Sequence, residues 1–126
     1  MTLRLGWFST GKGEGSRGLL GLVQDQIQSG KLDAQIEFIF SNREHGEAEG
    51  SDQFFALVEG YGMPLVTLSS RRFIGKSSGG PFSEHRVAFD QRIMKLLEGF
   101  NPDLCVLAGY MLIAGPELCR RYDMIN

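Results

Sequence analysis

The chain has 126 residues, 42% of them hydrophobic, and a formal net charge of −2 at pH 7. That length supports one domain with its own core. A near-neutral balance without a long basic or acidic run excludes an electrostatic nucleic-acid surface and a charged tail.

Residues 3–9 read as a strand, with Leu3, Leu5, Trp7 and Phe8 large and apolar. Residues 11–18 follow as a turn with four glycines in eight positions. From Leu19 onward Leu19, Leu20, Val23 and Ile27 recur at helical spacing, and Ser29-Gly30 ends the helix. Residues 36–40 read as a second strand, apolar except for Glu37, and residues 41–51 as a polar loop. A helix is expected over 52–61, burying Phe54, Phe55, Leu57 and Val58, with Asp52 at its positive end and Gly62 as its stop.

Residues 65–68 form a short third strand. Residues 69–80 show no apolar period and read as a mobile loop. Its basic cluster, Arg71, Arg72 and Lys76, is either a solvated group or an anion contact. Ser83 is the expected N-cap of a long helix ending near Phe100, striped by Phe89, Ile93, Leu96, Leu97 and Phe100. Residues 104–108 form a continuous apolar run of the kind buried on both faces of a parallel sheet. Residues 116–121 suit one or two helical turns.

Alternating strands and helices predict an α/β fold, a Rossmann-like three-layer sandwich around a parallel sheet of four strands. No repeat or second domain is visible. Ligands in such sheets bind beyond the strands' carboxyl ends, which nominates the loops 10–18, 41–51 and 109–115. Cys105 and Cys119 form no CxxC pair and stand apart from His45 and His85, so no zinc spacing is present. Cys105 reads as a core residue and both histidines as surface residues. No apolar stretch has the form of a signal peptide or membrane span, and the expected compartment is the reducing cytoplasm.

The glycine turn suits a phosphate. Glycine lets a ligand approach the backbone, and a helix start offers unpaired N–H groups. Gly13, Gly15 and Gly18 match G-x-G-x-x-G. However, Ser41-Asn42-Arg43 stands where the dinucleotide fingerprint places its ribose-binding acid. Arg43 suits a 2′-phosphate instead, so an NADP-dependent reductase is one alternative, and a non-catalytic phosphate-ligand-binding module is another. Gly75-Lys76-Ser77 imitates a Walker A loop, but Ser70 stands where that loop needs its first glycine.

Three segments resemble the folate-dependent formyltransferases of the glycinamide ribonucleotide transformylase family. Pro102-Asp103-Leu104-Cys105-Val106-Leu107-Ala108-Gly109-Tyr110-Met111 is similar to that family's Pro-Asp-(apolar)-Leu-Ala-Gly-(aromatic)-Met. Gly15-Ser16-Arg17 is similar to its Gly-Ser-Asn, and Arg86-Val87-Ala88-Phe89-Asp90 to its Arg-Glu-Ala-Tyr-Asp. The resemblance implies that Gly15, Ser16, Arg17 and Gly109 hold a small phosphorylated amine. It implies that Leu107, Met111, Leu112, Ile113 and Ala114 line a slot for 10-formyltetrahydrofolate, with Arg86 facing its glutamate tail. The family has Asn where this chain has Arg17, and often Arg where it has Leu112. Its Asn-x-His-Pro motif begins, by position, at Asn126, the expected first member of an Asn, His and Asp catalytic group. On this reading residues 1–126 are an N-terminal substrate-binding part. Its catalytic remainder is expected beyond 126, and this part alone is expected to be inactive. No metal, nucleic acid or membrane is implied.

Overall fold

The computed structural model describes residues 1–77 and 79–126. Its centre is a five-stranded, all-parallel sheet of β1 (Leu3–Phe8), β2 (Ala34–Ser41), β3 (Leu65–Thr67), β4 (Leu104–Leu107) and β5 (Met124–Ile125), in the order β3-β2-β1-β4-β5. The helices are α1 (Glu14–Gln28), α2 (Glu49–Gly60), α3 (Ser70–Lys76), α4 (Arg86–Leu96) and α5 (Pro116–Arg121), with a 3₁₀ turn at Phe82–Glu84. The architecture is the expected three-layer, Rossmann-like sandwich. From β1 the chain steps outward through β2 to β3, then returns to lay β4 on the other side of β1. The carboxyl ends of β1 and β4 therefore form the topological switch point, where such sheets open a crevice.

Two apolar layers hold the sandwich together. Leu5, Trp7, Ile36 and Ile39 pack with Leu20 of α1 and Phe54, Phe55 and Val58 of α2. On the opposite face Phe8, Phe38, Phe40 and Cys105 pack with Phe89 and Ile93 of α4, Leu97 just beyond it, and Leu118 of α5. Strict alternation would send Ile36 and Phe38 to the same face. The pairing instead jumps from Leu5↔Ile36 to Gly6↔Phe38, so Glu37 is an extra residue in β2, and every later side chain changes sides. Gly6 makes this possible: a Cβ there would strike the Phe38 ring and come 2.8 Å from the Cys105 sulfur. Burial pushes the Cys105 thiol up to about 12, so it stays a neutral core group.

Several sequence expectations are corrected. The sheet has five strands rather than four; β5 is two residues long and falls below any readable periodicity. Helix α1 begins at Glu14, not Leu19, because glycines are tolerated in a first turn whose amides need no intrahelical partner. Helix α2 starts at Glu49, ahead of Asp52. The segment 69–80 contains α3, capped by the Ser69 hydroxyl accepting from the Arg72 N–H at 3.1 Å. Phe73 of α3 meets the Phe89 ring edge-on at 5.3 Å. Ser78 lies outside the described residues. Ser83 sits in the 3₁₀ turn rather than capping a long helix, and α4 stops at Leu96, leaving Phe100 beyond its end. β4 is not the fully buried run expected: it is half-buried except at Cys105.

Gly6→Ala is expected to cost about 1–3 kcal/mol through overpacking against Phe38. Gly18→Ala, where a Cβ meets nothing within 4 Å, should stabilise α1 by about 0.5–1 kcal/mol. Urea-unfolding midpoints moving in opposite directions would verify the pair.

Candidate ligand site at the sheet switch point

The carboxyl edge of the sheet is built from buried polar side chains rather than apolar ones. Ser9, Thr10, Ser41, Asn42, Ser51, Ser69 and Ser70 are all buried there. Each must find partners, because an unpaired buried polar group is costly. Thr10 is the hub. Its hydroxyl donates to Asn42 Oδ1 at 2.7 Å and accepts from the Met111 N–H at 2.9 Å. Its own N–H donates to the Gly109 carbonyl at 3.0 Å, and its carbonyl accepts from the Ser51 hydroxyl at 3.0 Å. Asn42 Nδ2 passes the network on to the Ser70 hydroxyl at 3.1 Å. One threonine thus joins the loops after β1, β2 and β4.

The residues expected to hold a phosphate lie near the point where those loops meet. Gly13 is the N-cap of α1 in an extended conformation, and Gly15, Ser16 and Arg17 lie in the first turns of the helix. Gly109 has φ +73°, and a Cβ on it would come 2.6 Å from Ser16 Oγ. Only glycine adopts that backbone freely and leaves room for the serine. The structure therefore brings Ser16 and Gly109 together, with Gly15 next to Ser16 in the first turn of α1. Arg17 Nη1 donates to the Gly50 carbonyl at 3.3 Å, tying α1 to α2. The third glycine of a dinucleotide fingerprint permits close helix–strand packing. Gly18 faces open space instead, which removes the physical basis of that match.

The expected folate residues divide by direction. Leu107, Leu112 and Ala114 pack against the second apolar layer. Met111 and Ile113 point outward, 66% and 68% exposed. The loop carrying them is pinned at both ends, by Thr10 at Met111 and by Asp90 at Gly115, whose N–H donates to Asp90 Oδ2 at 2.7 Å. Asp90 is only 2% exposed. Burial raises its carboxyl above the ordinary range, against the Gly115 hydrogen bond and the nearby Arg86. Arg86 lies over the Phe82 ring at 5.9 Å, and its buried Nε has no partner among the described residues. A buried guanidinium N–H without an acceptor fits a carboxylate ligand. The Tyr110 hydroxyl is likewise buried and unpartnered, its pKa raised by burial and then by Asp90.

Asn126 is exposed, directly after β5. His45 pairs with Glu59 at the surface at 2.9 Å, and half-buried His85 contacts the Gly79 carbonyl at 2.6 Å. Neither histidine joins the corner. Gly75 and Lys76 occupy the end of α3, not the helix start that a P-loop requires. Among the described residues no three His, Cys, Asp or Glu side chains gather as metal ligands, and no helix is long and apolar enough to cross a membrane. Sequence reasoning missed Thr10 and Asn42, whose only signal is two polar residues at the ends of buried strands. It quoted Asp90 in a motif without giving it a role.

No protein-family model matches the chain, nor does any curated protein sequence. Solved structures do match. Glycinamide ribonucleotide transformylase 1 from Symbiobacterium toebii superposes with a TM-score of 0.69 at 20% identity, covering 96% of this chain and 48% of that one. A phosphoribosylglycinamide formyltransferase from Coxiella burnetii gives 0.63 at 22% identity, covering 98% and 50%. A formyltetrahydrofolate deformylase from Pseudomonas putida KT2440 gives 0.67 at 16% identity, covering 96% and 35%. The chain has the fold of these enzymes. It spans about half the length of the two transferases and about a third of the deformylase.

Asp90 sets a pH dependence. A carboxyl raised on folding binds its proton more tightly in the native state, so stability falls as pH rises from the ordinary carboxylate pKa through the folded one. Asp90→Asn should flatten that fall just above pH ~4, while Asp90→Ala, which leaves the Gly115 N–H unpaired, should cost about 1–3 kcal/mol. Thermal melts of both variants across pH 3.5 to ~7 would read the two effects separately.

Proposed function

We propose that this chain is the substrate-gripping part of a folate-dependent formyltransferase that moves a formyl group from 10-formyltetrahydrofolate to the amine of glycinamide ribonucleotide. The observation that carries the reading is the meeting of Ser16 with Gly109 at the switch point. There the first amides of α1 and the Ser16 hydroxyl suit a ribose phosphate, and the bare Gly109 leaves room beside them. Arg17 contributes by fixing the start of α1 on α2. Met111 and Ile113 supply outward apolar surface for the pterin, on a loop held in register from inside by Leu112 and Ala114. Arg86 supplies the cation for the tail carboxylate.

In the proposed reaction the amine attacks the formyl carbon and an oxyanion forms; a proton passes from the attacking nitrogen to N10 of the folate, and the oxyanion collapses to a formamide as the C–N10 bond breaks and tetrahydrofolate leaves. Asn126 is the proposed amide donor to that oxyanion. A histidine and an aspartate from outside this chain complete the proton transfer. The chain alone then binds both ligands without turning them over. A phosphorylated small molecule fits the α1 corner better than a nucleic acid, given a net charge of −2. A soluble cytoplasmic setting, where the folate and the phosphorylated amine would meet, completes the reading.

The test is an NMR titration of the 126-residue chain with ribose 5-phosphate and, separately, 5-formyltetrahydrofolate. Ribose 5-phosphate is expected to move the Gly15, Ser16 and Gly109 amides, and the folate those of residues 111–114, while a separate assay with 10-formyltetrahydrofolate and glycinamide ribonucleotide shows no formyl transfer. Amides at Gly15 and Ser16 that stay in place at millimolar ribose 5-phosphate would overturn the reading.

A further inference from the structure

The basic cluster of the segment 69–80 is not absorbed by the switch-point site. Arg72 and Lys76 are four residues apart on α3 and share one face, a like-charge spacing that destabilises a helix. Arg92 of α4 faces the same cleft, which measures about 260 Å³ and is floored by Leu68 and Phe73. One carboxylate answers these three cations. Glu44 pairs with Arg72 at 2.7 Å and accepts the Ser69 N–H at 2.9 Å, so both its oxygens are engaged. Lys76 and Arg92 are exposed and have no carboxylate within 4.0 Å among the described residues. Converging charge without a counter-charge, over an apolar floor and in a chain of net charge −2, breaks the local rules of a stable surface, and such breaks concentrate where something binds.

We propose that the α3–α4 cleft is a second ligand site, taking an oxyanion carried on a flat apolar group. The oxyanion, a phosphate monoester or a carboxylate, sits between Lys76 and Arg92. The apolar group lies on Phe73 and Leu68. Glu44 holds Arg72 back from the ligand and so limits affinity. The site is separate from the α1 corner, lying beyond β3 on the face of the sheet that α4 covers.

The test is an NMR titration of the 126-residue chain with phenyl phosphate, benzoate and inorganic phosphate at low ionic strength. Phenyl phosphate or benzoate is expected to shift the amides of Ser70–Lys76 and the Arg92 side chain saturably, and the tighter of the two assigns the oxyanion. Inorganic phosphate, which cannot use the floor, should bind at least about fivefold more weakly than the better aryl anion. Lys76→Gln with Arg92→Gln, both on exposed positions, should weaken the aryl anion about tenfold or more, while Glu44→Gln, which frees Arg72, should tighten it about threefold. That gain cannot come from a damaged fold. Equal affinity in the parent chain and both variants, or shifts confined to Gly15 and Ser16, would overturn the proposal.

Discussion

The arrangement of this protein depends on the hydrogen bonds of Thr10. A central parallel strand must end somewhere, and at its carboxyl end the backbone runs out of ladder partners while still buried. The loop just after β1 solves this with Thr10, whose amide, carbonyl and hydroxyl all find partners in the loops after β2 and β4 and in α2. The solution fixes more than the strand end. Gly109 is drawn onto the Thr10 amide and Met111 onto its hydroxyl, so the β4 loop cannot move without breaking bonds to β1. The start of α1 then lies against Gly109 through Ser16.

The 110–115 loop shows how a rigid scaffold presents an open face. Thr10 takes the Met111 amide near its start and the buried carboxylate of Asp90 takes the Gly115 amide at its end. Between them the side chains alternate, Leu112 and Ala114 inward, Met111 and Ile113 outward. Exposed apolar side chains on a pinned loop differ from those on a mobile one, because little conformational entropy remains to be lost when a ligand covers them. Arg86, stacked on Phe82 beside Asp90, belongs to the same assembly.

The strand–helix alternation, the parallel sheet and the two apolar stripes were legible in the sequence, because a period of 2 survives in β1, one of 3.6 survives in α1 and α4, and β2 is a short run of mostly apolar residues. What stayed hidden was short or non-periodic. A two-residue strand has no period, and a seven-residue helix rich in Ser and Arg leaves only Ser69 as a cap signal. The extra residue at Glu37 is invisible because Ile36, Phe38, Ile39 and Phe40 are apolar whichever face they take. At the candidate site a glycine-rich turn and a motif pointed to Ser16 and Gly109, and these two meet in the fold. Arg17, which the same motif points to, donates to the Gly50 carbonyl, a contact that no local pattern announces. Thr10 and Asp90 act through backbone amides distant in sequence, and no local pattern announces that.

The claim that Thr10 and Asp90 clamp the loop from both ends is tested most directly by amide hydrogen exchange in the native state. The Met111 and Gly115 amides are predicted to exchange as slowly as those of β1, opening only with the whole fold, while the Ile113 amide between them exchanges far faster. A Met111 amide exchanging as freely as that of Ile113 would contradict the account.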